Sequence, residues 1–398
     1  MRQSQETARN LISAMTARLP TPDHAALTAS LSLSRKIADE IAAGGGWMPF
    51  SRFMELALYA PGLGYYSGGA QKFGAAGDFI TAPELTPLFA QSLATQAAAV
   101  MADSAAQIIE IGAGSGILAA ELLLALEAVA ALPERYRILE LSGELRQRQA
   151  QTLAERAPHL AARVEWLETL PQRVSGLVLA NEVLDAMPVA LVSWTGSAIL
   201  ERGVINAADA GFAWEDRPAP PTLLSHAEAL GVHGPYLSEI GLATAAWVAE
   251  WGRIMERGAL LLIDYGYPQR EYYHPQRNRG TLLCHYRHRH HENPLWLPGL
   301  NDITAHVDFT AVANAAHDAG LEVIGYTSQA QFLLNCGITA QLAKLLDQGD
   351  RLYLAASRAV GKLISPEEMG EQFKVIALGR GLSVPLAGFL QGDRCHAL

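Results

Sequence analysis

Gln107-Ile-Ile-Glu-Ile-Gly-Ala-Gly-Ser-Gly-Ile-Leu118 decides how this chain folds. An apolar strand pattern runs into three glycines, and an Ala/Leu-rich helix pattern follows from Ile117 to Ala131. In open α/β sheets, this strand–turn–helix unit opens a nucleotide-type cofactor site. The glycines permit a tight turn and close backbone approach, and the helix N-terminus presents free N–H groups to a ligand.

The glycine spacing separates two readings. A dinucleotide fingerprint needs G-x-G-x-x-G. Here Gly112, Gly114 and Gly116 alternate, position 117 is Ile, and Glu110 precedes the first glycine. That disfavours a NAD-dependent oxidoreductase. E-x-G-x-G-x-G instead resembles the first motif of S-adenosylmethionine (SAM) methyltransferases. An ordinary glycine turn at a strand end is the competing reading for the motif taken alone.

The 398 residues suffice for a large core in one or two domains, and with half of them hydrophobic and 18% charged the chain is not disordered. A net charge of −10 argues against a nucleic-acid backbone as the main partner and is compatible with a cationic substrate. Cys284, Cys336 and Cys395 are far apart with no C-x-x-C, which favours a reducing compartment over a disulfide or zinc framework. No apolar run reaches membrane-spanning length. Arg2, Arg9 and Arg18 against Glu6 faintly echo a mitochondrial presequence. The expected address is the bacterial cytoplasm, with the mitochondrial matrix as the alternative.

Working outward, residues 25–43 read as a helix stopped by Gly44-Gly45-Gly46, and residues 49–59 as a second one. Thr81-x-x-Glu84 with Pro83 reads as a capping box opening one helix to Met101. Asp78, in the preceding loop, has no such structural reason to be there. Strands are expected at 136–141, 164–166, 176–180, 260–266, 321–326 and 373–378, and helices at 142–155, 241–256, 308–319 and 331–359. A strand-rich excursion covers 191–221, and a His- and Pro-rich loop covers 267–301. Residues 1–104 are expected to form a helical N-terminal extension with the Gly77–Glu84 loop. Residues 105–398 then form the core, with an insertion at 191–257 and the loop at 267–301. Glu140, Asn181-Glu182 and Asp264 all fall at strand ends, where open α/β sheets form their ligand crevice.

Several motifs together resemble one family. Phe73-Gly-x-x-Gly-Asp-Phe-Ile-Thr-x-Pro-Glu84, Glu110-x-Gly-x-Gly-x-Gly116, Asn181-Glu-x-x-Asp-Ala-x-Pro188, Ile263-Asp-Tyr-Gly266 and Asp302-Ile-Thr-Ala-His-Val-Asp-Phe309 are similar to those of the MidA-like SAM-dependent methyltransferases. The likeness runs from about residue 30 to the C-terminus and includes Gln372–Gly379. It implies a Rossmann-like seven-stranded methyltransferase sheet with a helical N-terminal extension and insertions. It also implies a protein arginine methyltransferase making symmetric dimethylarginine, of the kind that assists assembly of respiratory complex I, with SAM as methyl donor.

The chemistry expected of the residues follows. A guanidinium is protonated and delocalised, so an acceptor must grip its N–H fork, aim one nitrogen at the methyl and take up a proton. Glu182 is the candidate, with Asp185 or Glu239 as partner. Glu140 is assigned to the ribose hydroxyls and Gly112–Gly116 to the methionine end of SAM. Glu110 braces the glycine loop or meets the ammonium group, and Asn181 and Asp78 complete the cofactor set. Asp264 is a weaker candidate that would only cap its strand. His285, His288, His290 and His291 invite a metal reading, but methyl transfer needs none, and loop packing is the expectation. His306 and Asp308 read equally as substrate-facing or loop-bracing. A protein presenting an arginine is the expected partner, a homodimer is considered, and neither nucleic acid nor membrane insertion is expected. The alternatives are another nitrogen or a small-molecule acceptor, or a SAM-binding assembly factor without turnover.

Overall fold

The computed structural model describes residues 19–68, 81–207 and 211–398. They divide into two compact units whose boundaries fall at 79/80, 185/186, 243/244, 272/273 and 305/306. Asp78 and its neighbours before Thr81, residues 208–210 and the arginine-bearing N-terminus lie outside the described residues.

The larger unit, residues 80–185, 244–272 and 306–398, holds the sheet that the glycine motif announces. Its strands in chain order are β1 (Gln107–Ile111), β2 (Arg135–Leu139), β3 (Val164–Leu167), β4 (Val174–Asn181), β5 (Met255–Tyr267), β6 (Glu322–Ser328) and β7 (Phe373–Arg380). In space they run β3-β2-β1-β4-β5-β7-β6. Neighbours are parallel except β7, which is antiparallel to both β5 and β6. This is the expected seven-stranded α/β sheet. Chain order reverses between β1 and β4, and open sheets bind ligands at such a switch point.

The central strands are apolar runs because both faces are covered. Ile108, Leu177, Leu179, Leu261 and Val375 join one core with helices Pro87–Asp103 and Ile117–Ala128. The second helix is apolar almost all round, as a fully buried helix is. Val307–Asp308 adds a short parallel strand beside Gly266–Tyr267. A Cβ on Gly266 would stand 2.1 Å from the Val307 carbonyl oxygen, which explains the glycine of the Ile263–Gly266 motif.

The helix expected from Pro83 to Met101 is broken in two. Ala82–Leu85 and Pro87–Asp103 are separated by Thr86 at φ −165 and ψ 143. A proline ring disfavours helical backbone at the residue before it, so Pro87 forces Thr86 to extend, and Thr86 then caps the second helix through its hydroxyl. Thr81 occupies its cap position without a side-chain cap bond, so the capping box is not formed as expected.

The smaller unit is built on antiparallel pairing. Met48–Pro49, Ile199–Asn206, Ala190–Thr195 and Pro235–Ile240 follow one another in a sheet, with Phe212–Pro218 pairing along Ile199–Asn206. Helices His24–Ala43 and Phe50–Tyr59 contribute Leu33, Ile37, Phe50 and Phe53 to its core. The stretch expected as a loop at 267–301 contains the strands Leu283–Tyr286 and Arg289–His291, which form a three-stranded sheet with Asp302–Thr304 just beyond it. Its hairpin turns on Arg287 and His288, both left-handed at φ 47 and 59. A turn of that shape is normally announced by Asn-Gly or Asp-Gly, and neither is present here.

Candidate active site

The glycine loop leaves β1 with Gly112, Gly114 and Gly116 at φ 61, 52 and 81, a backbone closed to most side chains. Gly116 ends the turn as the cap of helix Ile117–Ala128. A Cβ there would lie 2.8 Å from the Gln149 Cα, so helix Gly143–Arg156 packs directly against it. Beneath the loop, buried Glu110 accepts a 2.6 Å hydrogen bond from the Tyr136 hydroxyl on β2. Burial first, and then the Glu140 charge, push the Glu110 pKa up to about 7 against that bond. Glu110 thus ties β1 to β2 through its carboxyl.

Glu140 follows β2 and is buried. One carboxylate oxygen accepts the Ser142 N–H at 2.9 Å, and the other accepts the Gln149 amide at 3.0 Å. Burial pushes its pKa up, and those donors work against the rise. Its neighbour Leu141 is 78% exposed, an apolar side chain standing open beside a buried acid.

At the end of β4 the chain turns through Glu182 at φ 55, in the left-handed region that non-glycine residues seldom enter. Such strain persists where the surroundings over-determine it. Here the Glu182 N–H is held by the Ile263 carbonyl at 2.9 Å. Buried Asp264 accepts the N–H groups of Val183, Leu184 and Asp185 at 3.2, 2.9 and 3.2 Å on one oxygen, and that of Tyr265 at 2.9 Å on the other. Asp264 therefore does more than cap its strand: it shapes the whole turn. Burial, Asp185 and Glu182 push its pKa up.

The Glu182 carboxyl meets the Asn181 amide at 3.1 Å and accepts the Ala82 N–H. Burial, the Asp185 charge and then Glu84 raise its pKa to about 8. Asp185 is buried and takes the Tyr265 hydroxyl. Tyr265 stands edge-on to His306, whose ring stacks on Tyr267. Asn181 Oδ1 is buried without a hydrogen-bond partner among the described residues. Glu84 accepts the Ser115 hydroxyl at 3.0 Å, so the segment that opens at Thr81 touches the glycine loop through Glu84 and the Glu182 carboxyl through Ala82.

Other candidates have structural duties. Asp308 caps helix Phe309–Asp318, accepting the N–H groups of Thr310 and Ala311, and burial lifts its pKa to about 6. Glu239 lies in the smaller unit, where its carboxylate takes the backbone N–H groups of Thr281 and Leu282 and the hydroxyls of Ser238 and Thr281. His291 is buried with its ring against Asn301 Oδ1 at 3.0 Å, and no His, Cys, Asp or Glu group among the described residues is arranged to hold a metal.

Sequence reasoning missed Gln149. Leu145, Gln149 and Leu153 form the buried stripe of their helix, and a polar residue on such a stripe is the signal that was there to read.

Comparisons with known proteins agree with this architecture. Residues 88–327 match the family described as "Putative S-adenosyl-L-methionine-dependent methyltransferase". A crystal structure from Burkholderia thailandensis bound to S-adenosyl-homocysteine is 51% identical, with TM-score 0.92 over 96% of this chain and all of that one. "Protein arginine methyltransferase NDUFAF7, mitochondrial" of Danio rerio is 28% identical over 90% of this chain and 92% of its own length. The Drosophila melanogaster homologue is 29% identical over 90% and 88%. The chain belongs to the MidA-like family of S-adenosyl-L-methionine-dependent methyltransferases.

Proposed function

We propose that this SAM-dependent methyltransferase acts on an arginine side chain of a protein. We extend to it the symmetric dimethylation and the respiratory complex I substrate that the family resemblance implies. The observation that carries the arginine reading is Glu182: a strained, part-buried acid with Asp185 behind it and a pKa near 8. The names of the curated relatives support it.

The residues fit the cofactor. The left-handed glycine turn admits a ligand against bare backbone, Glu140 offers a carboxylate for the ribose hydroxyls, and Asn181 Oδ1 is an acceptor that an ammonium donor would satisfy. We keep Asp78 in this set, and Glu110 as the support of the loop. SAM, when bound, supplies a sulfonium methyl group for transfer.

The acceptor chemistry follows from charge. Crowded acids hold Glu182 largely protonated near neutral pH; an arriving guanidinium favours the carboxylate, and the carboxyl proton leaves to solvent. The carboxylate then accepts two N–H groups in a fork and turns one nitrogen outward. As that nitrogen becomes alkylated it sheds a proton, and an acid with a raised pKa is the better acceptor.

The test is transfer from labelled SAM to protein in cell extract, followed by acid hydrolysis and amino-acid analysis. Label in symmetric dimethylarginine is expected. Label confined to another amino acid or to a small molecule would overturn the arginine assignment. We place the protein in the bacterial cytoplasm, in line with its Burkholderia relative. Light scattering tests the proposed homodimer. Among the described residues no helix is long and apolar enough to cross a membrane.

A further inference from the structure

We infer that Gln149 is a positioning residue for the cofactor, and that Trp166 helps to anchor it. Gln149 is wholly buried, yet every polar atom of its amide is used. Its Nε2 donates to the Gly114 carbonyl at 3.2 Å and to Glu140 Oε2 at 3.0 Å. Its Oε1 accepts the Trp166 indole N–H at 2.8 Å. One side chain therefore ties the glycine loop after β1 to the acid after β2, the two elements that must keep their spacing for one ligand to span both.

The direction of the amide matters. An indole N–H only donates, so it demands the amide oxygen and turns both amide hydrogens toward Gly114 and Glu140. Gly114 and Glu140 offer only acceptors and favour the same orientation, so Trp166 is its third anchor; without it the amide oxygen is left buried with no donor and the hold on Gly114 and Glu140 loosens. Burial already works against the charged form of Glu140, so a charge-assisted donor is worth most there. Trp166 acts only through Gln149, from β3 at the edge of the sheet. Packing reinforces the placement, because the Gln149 backbone rests where a Gly116 Cβ would be.

This inference rests on the assignment of Glu140 to the ribose hydroxyls, and the experiment separates the two. Calorimetry on the full chain compares S-adenosylhomocysteine with its 2′,3′-dideoxyribosyl analogue in wild type, Glu140→Gln, Gln149→Leu and Trp166→Phe. Thermal melting of each variant checks folding. Wild type should prefer the diol by about tenfold to a hundredfold. Gln149→Leu should weaken S-adenosylhomocysteine by about tenfold and lose most of that preference, and Trp166→Phe should show the same pattern at reduced size. A merely structural role would weaken both ligands alike and leave the preference intact. If Glu140→Gln keeps the preference, the ribose assignment fails and the inference with it. If Glu140→Gln loses it while Gln149→Leu and Trp166→Phe keep it, the inference alone is overturned. Should Gln149→Leu fail to fold, a retained preference in Trp166→Phe overturns it equally.

Discussion

The crevice ends of β1 and β2 and those of β4 and β5 both hold buried acids with donors of their own, but crowd them to different degrees. At β1–β2 there are two such acids, held by Tyr136 for Glu110 and by Ser142 and Gln149 for Glu140, with the Glu140 charge acting on Glu110. At β4–β5, Glu182, Asp185 and Asp264 stand close enough for the first and last to have pKa values raised by their neighbours. The first region is built to hold its shape before a ligand arrives. The second crowds three acids whose like-charge repulsion is relieved by protonation or by an arriving cation. On the proposed function, preorganisation belongs to the cofactor end and charge recognition to the acceptor end.

The contrast breaks most sharply at Glu182. Glu182→Gln keeps the shape and removes the charge, so methyl transfer should fall by about a thousandfold while calorimetric SAM affinity holds. Equal loss of both would mean that the two ends are not separate. Asp264→Asn probes the turn itself. Its carboxylate serves four backbone N–H groups, and an amide presents only one acceptor oxygen and adds donors, so denaturant unfolding should show a loss of about 3 kcal/mol. Gly116→Ala attacks the preorganised end. Its left-handed φ and the Gln149 backbone in its path should cost about 2 kcal/mol and weaken SAM binding, leaving the Glu182 pH dependence where it was.

The mildest effect is on pH. Glu182 has a folded pKa near 8 against an ordinary value of 4.5, so the folded state holds its proton longer than the unfolded chain does. Its contribution to stability is present below about pH 4.5 and is lost as pH rises through about 8. Wild type should therefore lose stability relative to Glu182→Gln across that window in parallel denaturant titrations. Conversely, kcat/KM for an arginine acceptor should rise with pH along a limb centred near 8. A limb near pH 4.5 would show that Glu182 is an ordinary solvated acid.

Much of this was legible before any coordinates. Seven strands appear where the apolar runs predict them, because strand burial and turn chemistry are local properties of the chain. Their edges moved where a neighbour intervened: Pro87 splits one expected helix, and the hairpin at Arg287-His288 carries no glycine to announce it. Glu140 and Asn181-Glu182 could be picked out because they directly follow strands.

The sequence by itself determined the glycine turn, the α/β sheet and the acids that end its strands, since each depends on residues a few positions apart. Only the tertiary structure decided what those acids are for. Asp264 and Glu182 look alike as carboxylates at strand ends, yet Asp264 is consumed by backbone donors 79 to 81 residues away. Glu239 is likewise spent on a loop 42 and 43 residues downstream, and Gln149 is recruited to a glycine 35 residues upstream. Hydrogen bonding depends on distance in space, and spacing along a chain does not report it.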